Sequence, residues 1–352
     1  MLHVITGTVR RGAETFAVDV ANALEARGRS GRVVALTGDD APGNLPVDVL
    51  GRSALGPGTL RALRSEARGA NVVVAHGSSA VAACAIATLG TRTPFVYRNI
   101  GDPAFWLDTP SRRRRMRWVL RRARATVALW EGSAEQLEAL GAGRTVVIPT
   151  GVPAGLFPPI EEDERHKARR ALGIDPAAVV AVYVGSLSEE KNVAVAVSAV
   201  ASIEDAMLLV VGEGPERGAL EDLAAGTAPS RIRFLGSRER PREELAAADV
   251  LVLPSVTEGI PAVLIEAAFS ELPVAASNVG GIPEIVAHGR TGTLAPAGDA
   301  TAFARAIREA VAGGRTMGRA ARQHCIDRFE IEPVAAAWES LLDELGAWGG
   351  PP

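Results

Sequence analysis

Residues 248–299 read ADVLVLPSVTEGIPAVLIEAAFSELPVAASNVGGIPEIVAHGRTGTLAPAGD. The first part, ADVLVLPS, is a short apolar run that ends at Pro254 and Ser255, which predicts a buried strand. The segment after Pro261, AVLIEAAFS, has the composition and spacing of a helix, and proline suits a first helical turn. A strand that leads into a helix through a short loop predicts one unit of an open α/β sheet.

Two glutamates of this segment, Glu258 and Glu266, are eight residues apart. The pattern places Glu258 in the loop at the carboxyl end of the strand, and Glu266 about one and a half turns into the helix. Ligands of open α/β sheets bind at this edge, and the amides of a helix N-terminus attract phosphate. A loop that binds only phosphate needs no acid, so the acids indicate a hydroxyl-rich group beside it. The segment therefore predicts a ligand that combines sugar and phosphate.

Strand-like runs separated by helical segments extend through the whole chain. In the first half they are His3–Thr6, Arg32–Leu36, Asn71–Ala75, Thr93–Arg98, Thr126–Leu129 and Arg144–Ile148. In the second half they are Val179–Val184, Ala206–Val211, Ile232–Leu235, Val250–Leu253, Pro273–Ala276 and Gly292–Leu294. This alternation predicts an α/β protein with parallel sheets that carry helices on both faces.

A domain boundary is predicted in the stretch PTGVPAGLFPP, residues 149–159, because it is dense in proline and glycine and precedes an acidic helix start, EEDE. We therefore predict a first domain at residues 1–150 and a second at 151–330. The last segment, residues 331–352, contains the amphipathic helical sequence EPVAAAWESLLDELGAW.

Length and charge support this division. The 352 residues suit two domains, since single cores stop growing beyond roughly 250–300 residues. Residues 1–150 hold 20 arginines, no lysine and 12 acids, a net charge of +8, whereas the rest of the chain has −11. The asymmetry indicates an anionic partner for the first half.

Cys84 and Cys325 show no pairing pattern and no signal peptide follows Met1, so we expect a cytoplasmic protein with reduced thiols.

Further segments fit a known family in their order along the chain. They are VRRGAETFAVDVANALEARG (9–28), VVIPTGVPAGLF (146–157), VGSLSEEKN (184–192), VVGEGPER (210–217), FLGS (234–237) and the run of GG, PE, V, G and G between 280 and 292. Together with the segment around Glu258 they resemble the retaining glycosyltransferases of family 4. The resemblance covers nearly the whole chain. It implies the GT-B fold, two Rossmann-like, doubly wound parallel-sheet domains that face a central cleft.

The resemblance also implies roles for particular residues. Glu258 is expected on the donor sugar, because a carboxylate accepts hydrogen bonds from two adjacent hydroxyls, and Glu266 on the nucleotide ribose. His76, Lys191 and Glu258 are expected in catalysis. The donor-binding residues it implies are Gly12, Gly185, Ser186, Lys191, Leu235, Gly236, Glu258, Gly259, Ile260, Pro261, Ala262, Val263 and Glu266. Solvated helix-end acids are the alternative for the two glutamates.

Lys191 is one of only two lysines, with Lys167, among the 38 basic residues. A lysine ammonium is a compact charge that suits a diphosphate, although an exposed turn residue is the alternative. Where the family usually has an arginine after Gly185, this chain has Ser186, so one partner of the diphosphate is missing. Arg238 or Arg240 is a candidate substitute.

Two residues of the first half complete the predicted site. His76 ends a strand-like run at the position of the family's active-site histidine, and a structural histidine bonded to a loop carbonyl is the alternative. Gly12 allows the first loop to approach the donor phosphate or the acceptor. The family has a glycine pair there, and Arg11 replaces the first glycine. No metal-ligand pattern, G-x-G-x-x-G sequence or ATP-binding loop is present in the sequence.

The sequence thus predicts a bacterial, metal-independent, retaining glycosyltransferase of the hexosyltransferase class. The resemblance implies a donor domain in the second half, an acceptor domain in the first half, and a last helix that returns to the first domain. We expect a nucleotide sugar of UDP or GDP type, no other cofactor, and an acceptor that is a cell-envelope lipid, a polysaccharide or a secondary metabolite. The alternatives are a catalytically impaired GT-B partner subunit and a nucleotide-sugar epimerase.

An arginine-rich segment, SRRRRMRWVLRRARA, holds eight arginines between Arg112 and Arg124 and no acid. Three interpretations stay open: peripheral contact with the anionic inner face of a membrane, binding of an anionic acceptor, and a solvated face. No nucleic acid is expected, because no recognition motif accompanies the charge.

Overall fold

The computed structural model describes residues 1–38 and 43–348. The chain divides into two compact units. Unit 1 comprises Met1–Pro153 together with the chain from Arg328 onward, and unit 2 comprises Ala154–Asp327. Each unit is built around one parallel sheet, which confirms the predicted fold class.

Unit 1 contains a seven-stranded sheet in the order β3-β2-β1-β4-β5-β6-β7. Its strands are β1 (Leu2–Ile5), β2 (Arg32–Ala35), β3 (Asp48–Val49), β4 (Val73–His76), β5 (Phe95–Arg98), β6 (Ala125–Ala128) and β7 (Thr145–Val147). Its helices are α1 (Gly12–Ala26), α2 (Pro57–Arg68), α3 (Ser78–Ala87), α4 (Pro103–Trp106), α5 (Pro110–Leu120) and α6 (Glu131–Ala139), joined by α14 (Ile331–Glu344). Val4 of β1 pairs with Val34 on one side and Ala75 on the other. The strand order therefore reverses between β1 and β4.

The C-terminal helix α14 completes the core on one face of this sheet. Its Trp338 is fully buried in a cluster with Phe16 and Val20 of α1 and with Val74 and Val96 of the sheet. An apolar stripe on α14 explains this packing, because its buried residues recur at helical spacing. The last four residues of the predicted segment 331–352 lie outside the described part of the chain.

Unit 2 contains a six-stranded sheet in the order β10-β9-β8-β11-β12-β13. Its strands are β8 (Val179–Val184), β9 (Ala206–Val211), β10 (Ile232–Gly236), β11 (Val250–Leu253), β12 (Val274–Ser277) and β13 (Thr293–Ala295). Its helices are α7 (Glu162–Ala171), α8 (Val193–Ala201), α9 (Arg217–Thr227), α10 (Arg242–Ala247), α11 (Ala262–Phe269) and α12 (Ile282–Ile285), followed by α13 (Ala300–Phe329), which is interrupted at Gly314. Leu251 of β11 pairs with Val182 of β8, so the order reverses between β8 and β11.

Continuous apolar runs form the central strands. All six residues of β9, AMLLVV, are buried, as expected for a parallel strand covered on both faces. The twelve predicted strand runs all correspond to strands, with ends within two residues of those observed, whereas β3 was not predicted. Within the described ranges 1–38 and 43–348, every helix is too short or too polar to cross a bilayer.

Candidate functional site

The candidate site of unit 2 lies where its strand order reverses. The loops that follow β8 and β11 leave adjacent strands at the same carboxyl edge and turn to opposite faces of the sheet. A crevice forms at such a reversal, and it is the usual ligand position in doubly wound sheets. Lys191 follows β8 and Glu258 follows β11.

The structure brings Lys191 and Glu258 into direct contact. Lys191 Nζ donates to Glu258 Oε1 over 2.6 Å, and Ser255 Oγ donates to the same oxygen over 2.7 Å. Glu258 is only 8% exposed and Lys191 is 23% exposed, so the pair lies largely out of water. A buried carboxylate with two donors on one oxygen is compensated and held in one orientation. Ser255 was not predicted, although it lies three residues before Glu258 in the same loop.

The turn that carries Lys191 is fixed to the loop that carries Glu258. Residues Glu189–Lys191 form a short 3-10 helix, which ends at Asn192 in the left-handed conformation with φ of 47°. The Val256 N–H donates to the Glu190 carbonyl over 2.9 Å. This backbone bond joins the two loops across the reversal and explains why the lysine and the glutamate meet.

Two glycines support the Glu258 loop from behind. A Cβ placed on Gly280 would lie 1.9 Å from the Glu258 carbonyl oxygen, and the φ of Gly280 is +52°. The Gly281 N–H donates to the Gly259 carbonyl over 3.1 Å. Only glycine permits this approach of two backbones. The GG pair of the sequence therefore positions the loop of the predicted sugar-binding acid.

Helix α11 begins directly after this loop. Pro261 is its N-cap and offers no side-chain acceptor, so the first amides, among them those of Ala262 and Val263, have no side-chain cap. These amides carry the partial positive charge of a helix N-terminus. Glu266 is half-buried at the fifth position of the helix. Ile260 is buried and Gly259 lies between it and Glu258.

Glycines also crowd the carboxyl ends of β8, β9 and β10. A Cβ on Gly212 would lie 1.8 Å from the Gly185 carbonyl oxygen, and one on Gly185 would lie 2.7 Å from the Tyr183 hydroxyl. The Gly212 N–H donates to the carbonyl of Gly236, which follows Leu235 at the end of β10. The predicted residues Gly185, Leu235 and Gly236 therefore lie on one packed edge.

Ser186 is exposed on this edge. Its carbonyl accepts a bond from the Tyr183 hydroxyl, and its Oγ lies 3.2 Å from Ser188 Oγ. The suggested substitute Arg238 donates through Nε to Glu244 over 3.0 Å, so part of its guanidinium is occupied. Arg240 is exposed.

In unit 1, His76 ends β4 and is 2% exposed. His76 Nε2 lies 2.9 Å from Nδ1 of His3, which is also buried. Burial lowers the pKa of His3 to about 3 and lowers the pKa of His76 well below its usual value, with His3 and Arg98 adding to the effect on His76. Both rings are therefore neutral at neutral pH. The partner of His76 is thus the His3 ring and not a loop carbonyl, and His76 Nδ1 is buried without a partner in the described chain. A substrate contact by His76 stays a prediction.

Arg98 is the unexpected residue of unit 1. It ends β5 beside His76, is 1% exposed, and its guanidinium carbon lies 3.8 Å from the centre of the Phe16 ring. Arg98 Nη2 donates to Thr150 Oγ1 over 2.9 Å, whereas Nε and Nη1 have no partner in the described chain. Burial lowers the pKa of Arg98 to about 9, and Glu14 opposes the effect. In the sequence Arg98 is one of 20 arginines in residues 1–150, and nothing there marks it as buried.

Gly12 is the first residue of α1, and a Cβ there would meet no atom within 4 Å. The glycine thus leaves open space at the start of the helix. The first part of the arginine-rich segment forms α5, in which Arg114, Arg115 and Arg117 are exposed, and its last three arginines follow the helix. Trp106 and Trp118, which lie beside these arginines in the sequence, are also exposed.

Within residues 1–38 and 43–348 no group of three His, Cys, Asp or Glu is arranged to hold a metal ion.

Comparison with known proteins identifies related sequences on both units. Residues 10–155 match the family model described as Glycosyltransferase Family 4, and residues 178–312 match that described as Glycosyl transferases group 1. The chain is 32% identical over 184 residues to N-acetyl-alpha-D-glucosaminyl L-malate synthase of Bacillus anthracis, covering 50% of this chain and 48% of that protein. It is 31% identical over 254 residues to alpha-maltose-1-phosphate synthase of Mycolicibacterium smegmatis, covering 66% of each. The aligned region thus spans about half to two thirds of the length of these relatives.

Solved structures share the fold over almost the whole chain. Anabaena Alr3699/HepE in complex with UDP-glucose has a TM-score of 0.86 at 22% identity, covering 97% of this chain and 99% of that chain. WaaG, a glycosyltransferase involved in lipopolysaccharide biosynthesis, has a TM-score of 0.75 at 18% identity, covering 99% and 100%. These similarities confirm the predicted GT-B fold. Neither the partner-subunit nor the epimerase alternative is favoured by these matches.

Proposed function

Because the chain belongs to the family 4, group 1 type of glycosyltransferases, we propose that it transfers a sugar from a nucleotide-sugar donor to an acceptor with retention of anomeric configuration. Unit 2 binds the donor and unit 1 binds the acceptor. The observation that carries the proposal is the Lys191–Glu258 pair, held with Ser255 where the strand order of unit 2 reverses. A cation, an acid and an uncapped helix N-terminus at one edge match a diphosphate that carries a hydroxylated sugar.

Each residue has a distinct task in this proposal. Glu258 accepts hydrogen bonds from sugar hydroxyls, since only its Oε1 is engaged by Lys191 and Ser255. The Lys191 ammonium stabilises the charge that develops on the diphosphate as the sugar leaves. The amides at the start of α11 bind the same phosphates, and Glu266 binds the ribose hydroxyls.

Retention follows if the leaving phosphate oxygen takes the acceptor proton on the face from which it departs. The protein then supplies orientation and charge stabilisation around an oxocarbenium-like state, and no protein nucleophile is required. The stereochemistry is tested directly by NMR of the anomeric proton of the product at early times. An inverted product contradicts this part of the proposal.

A UDP-type donor is the first candidate, because the structural neighbour Alr3699/HepE is described in complex with UDP-glucose, and a GDP-type donor is the second. Thermal unfolding with UDP, GDP, ADP and TDP side by side distinguishes them. A nucleotide at 100 times its dissociation constant adds about 2.7 kcal/mol to the free energy of unfolding.

The matched variants make this test specific. Lys191→Ala and Glu266→Ala are expected to lose the stabilisation, whereas Lys167→Ala removes the only other lysine, exposed on α7, and is expected to keep it. Stabilisation of the wild type by none of the four nucleotides contradicts the donor site. If Lys167→Ala loses the nucleotide stabilisation to the same extent as Lys191→Ala, the loss reflects the total charge of the protein and not a contact made by Lys191.

Peripheral membrane contact through the Arg112–Arg124 segment is part of the same proposal. Exposed arginines and the exposed rings of Trp106 and Trp118, which are near them in the sequence, suit an anionic lipid surface. Each arginine near such a surface contributes about 1 kcal/mol, so the triple variant Arg114→Gln, Arg115→Gln, Arg117→Gln should bind phosphatidylglycerol vesicles about 100-fold more weakly. The matched control changes three exposed arginines elsewhere, Arg52, Arg61 and Arg68, to Gln. Equal weakening of the two triple variants contradicts a specific contact.

A further inference from the structure

Unit 1 has its own strand-order reversal, and two helices begin there. Helix α1 follows β1 and begins at Gly12, and helix α3 follows β4 and begins at Ser78. Neither N-cap, Arg11 or Gly77, makes a side-chain hydrogen bond to its helix. The first amides of a helix have no partner within it, and no side chain caps them here. Because both helices have at least ten residues, each N-terminus also carries the partial positive charge of the helix dipole.

Arg98, at the end of the neighbouring strand β5, contacts both of these helices. Its carbonyl accepts a hydrogen bond from the N–H of Gly77, the N-cap of α3, over 3.1 Å. Its guanidinium packs on Phe16, in the second turn of α1. We call Gly12, Gly77, Ser78, Ser79 and Arg98 the unit 1 crevice.

The charge of Arg98 is not compensated by contact with an acid. No carboxylate within residues 1–38 and 43–348 forms an ion pair with it, and its Nε and Nη1 are buried without a partner. An isolated buried charge is unfavourable unless a group of opposite charge approaches it. An apolar side chain would pack here at lower cost, and a negative group bound at the crevice would account for the buried charge of Arg98.

The other side chains around the helix starts agree with this conclusion. Ser78 and Ser79 are exposed at the first two positions of α3 and can donate hydroxyl hydrogen bonds. Arg11 is exposed at the start of α1. Glu14, in the first turn of α1, is the acid that interacts with Arg11 and Arg98, and burial raises the pKa of its carboxyl. Two arginines and two helix N-termini therefore outweigh one half-buried acid.

We propose that the unit 1 crevice binds an anionic group, a phosphate or a carboxylate, carried by the acceptor. The inference rests on the proposed function, because it assigns the acceptor to unit 1, and it restricts acceptors to anionic molecules. The amides of α1 and α3 and the hydroxyls of Ser78 and Ser79 contact the anion. Arg98 supplies the positive charge beneath them.

The first experiment measures binding of inorganic phosphate to the full chain by equilibrium dialysis, for the wild type and for Arg98→Gln and Arg98→Lys. Removal of a buried positive charge beneath a bound anion weakens the attraction between them, so Arg98→Gln should weaken phosphate binding by about 10-fold or more. Arg98→Lys keeps the charge and should weaken it less. Unchanged phosphate affinity in Arg98→Gln overturns the proposal.

A second pair of variants does not depend on a change in the buried interior. Ser78→Asp places a carboxylate at the exposed start of α3, where it favours the helix but repels a bound anion. Ser111→Asp makes the same change at the exposed start of α5. Phosphate binding should be lost in Ser78→Asp and retained in Ser111→Asp. Equal behaviour of the two variants overturns the proposal.

The donor diphosphate is the other possible source of the anion, and UDP separates the two sites. Arg98→Gln and Ser78→Asp should bind UDP like the wild type, whereas Lys191→Ala should lose UDP and keep phosphate. If phosphate is displaced by UDP and lost in Lys191→Ala, the anion belongs to the donor site and the crevice proposal fails. Absence of UDP binding to the wild type contradicts the proposed function alone, because phosphate binding at the crevice is measured independently.

Discussion

The strand-order reversals of the two units balance charge in opposite ways. In unit 2 the cation and the acid neutralise each other, since Lys191 donates to Glu258 at 2.6 Å. In unit 1 the Arg98 guanidinium is buried, and among residues 1–38 and 43–348 its side-chain hydrogen bond goes to the hydroxyl of Thr150 and not to an acid. The pair in unit 2 offers a carboxylate to sugar hydroxyls and an ammonium to phosphate, whereas Arg98 offers positive charge without an acid beside it. We therefore expect the two reversals to suit different ligands.

The loops at the two reversals are also held differently. In unit 2, backbone packs on backbone, with Gly280 directly against the carbonyl of Glu258. In unit 1 a side-chain contact holds the end of β4, since His76 is bonded to His3 inside β1 and its ring lies 6.3 Å from that of Trp338. We therefore expect the stability of unit 1 to depend on pH, because titratable side chains make this contact. We expect the stability of unit 2 to fall when a side chain is added at its glycines.

The largest expected effect is the response of unit 1 to acid. Below pH 6.5 the unfolded chain binds two protons, on His3 and His76, that the folded unit does not bind, since burial lowers both pKa values and holds that of His3 at about 3. Their contribution to stability is therefore present above pH 6.5 and is lost as the pH falls. The free energy of unfolding should decrease by about 4 kcal/mol between pH 8 and 5 from these two groups.

Tryptophan fluorescence during urea unfolding measures this effect in unit 1 alone, because all five tryptophans belong to it. The control is the double variant His3→Gln, His76→Gln, which should lose about 4 kcal/mol less than the wild type over the same pH range. Equal losses in both proteins would show that other groups cause the acid sensitivity.

Gly280→Ala should cause the next largest loss, now in unit 2. The added methyl overlaps the Glu258 carbonyl and the backbone is left-handed, so we expect a loss of about 3 kcal/mol or more in the free energy of unfolding, together with weaker UDP binding. Gly289→Ala is the matched control, since φ is +77° and no atom lies within 4 Å of its Cβ. It should cost about 1 kcal/mol. Circular dichroism during urea unfolding tests both, and equal costs would refute the packing argument.

The difference in charge balance itself is tested by replacing each cation with methionine. Lys191→Met leaves a buried carboxylate with Ser255 as its remaining donor and should lower the free energy of unfolding by about 2 kcal/mol. Arg98→Met removes a buried charge that lacks an ionic partner and should change stability by less than about 1 kcal/mol, or increase it. Urea unfolding without ligand provides the measurement. A larger loss for Arg98→Met would mean that its stacking on Phe16 and its bond to Thr150 outweigh the cost of burying the charge.

Local patterns in the sequence were sufficient for most of the fold. Buried runs such as Val179–Val184 and Val250–Leu253 coincide with β8 and β11, because strands covered on both faces are continuous apolar segments. The strand β3 was missed because its two exposed residues, Asp48 and Val49, carry no periodic signal. The family resemblance supplied the GT-B arrangement, which the structural neighbours confirm.

The contacts of the predicted site were harder to predict from the sequence than the strands, because they join residues that are far apart along the chain. Lys191 and Glu258 are 67 residues apart, and His3 and His76 are 73 apart. The sequence indicated residue types at the ends of strands, but it did not indicate that Lys191 neutralises Glu258 or that Arg98 is buried. Burial depends on which helix covers each strand end, and α14, which covers the histidine pair, comes from the far end of the chain.

The smallest expected effect concerns Ser186, where the family usually has an arginine. The site is exposed and its carbonyl is held by the Tyr183 hydroxyl, so Ser186→Arg is accommodated without disturbing packing. An exposed cation beside the diphosphate should contribute about 1 kcal/mol, a fivefold to tenfold tighter binding of UDP by calorimetry at low salt. Ser188→Arg adds the same charge 3.2 Å away along the hydroxyl pair and is the matched control. Tighter binding in Ser186→Arg alone would mean that a cation after Gly185 contacts the diphosphate and that unit 2 tolerates its absence because Lys191 is present. Equal gains in both variants would mean that net charge alone causes the effect, and the two reversals would then differ only in their cations, the half-buried Lys191 and the buried Arg98.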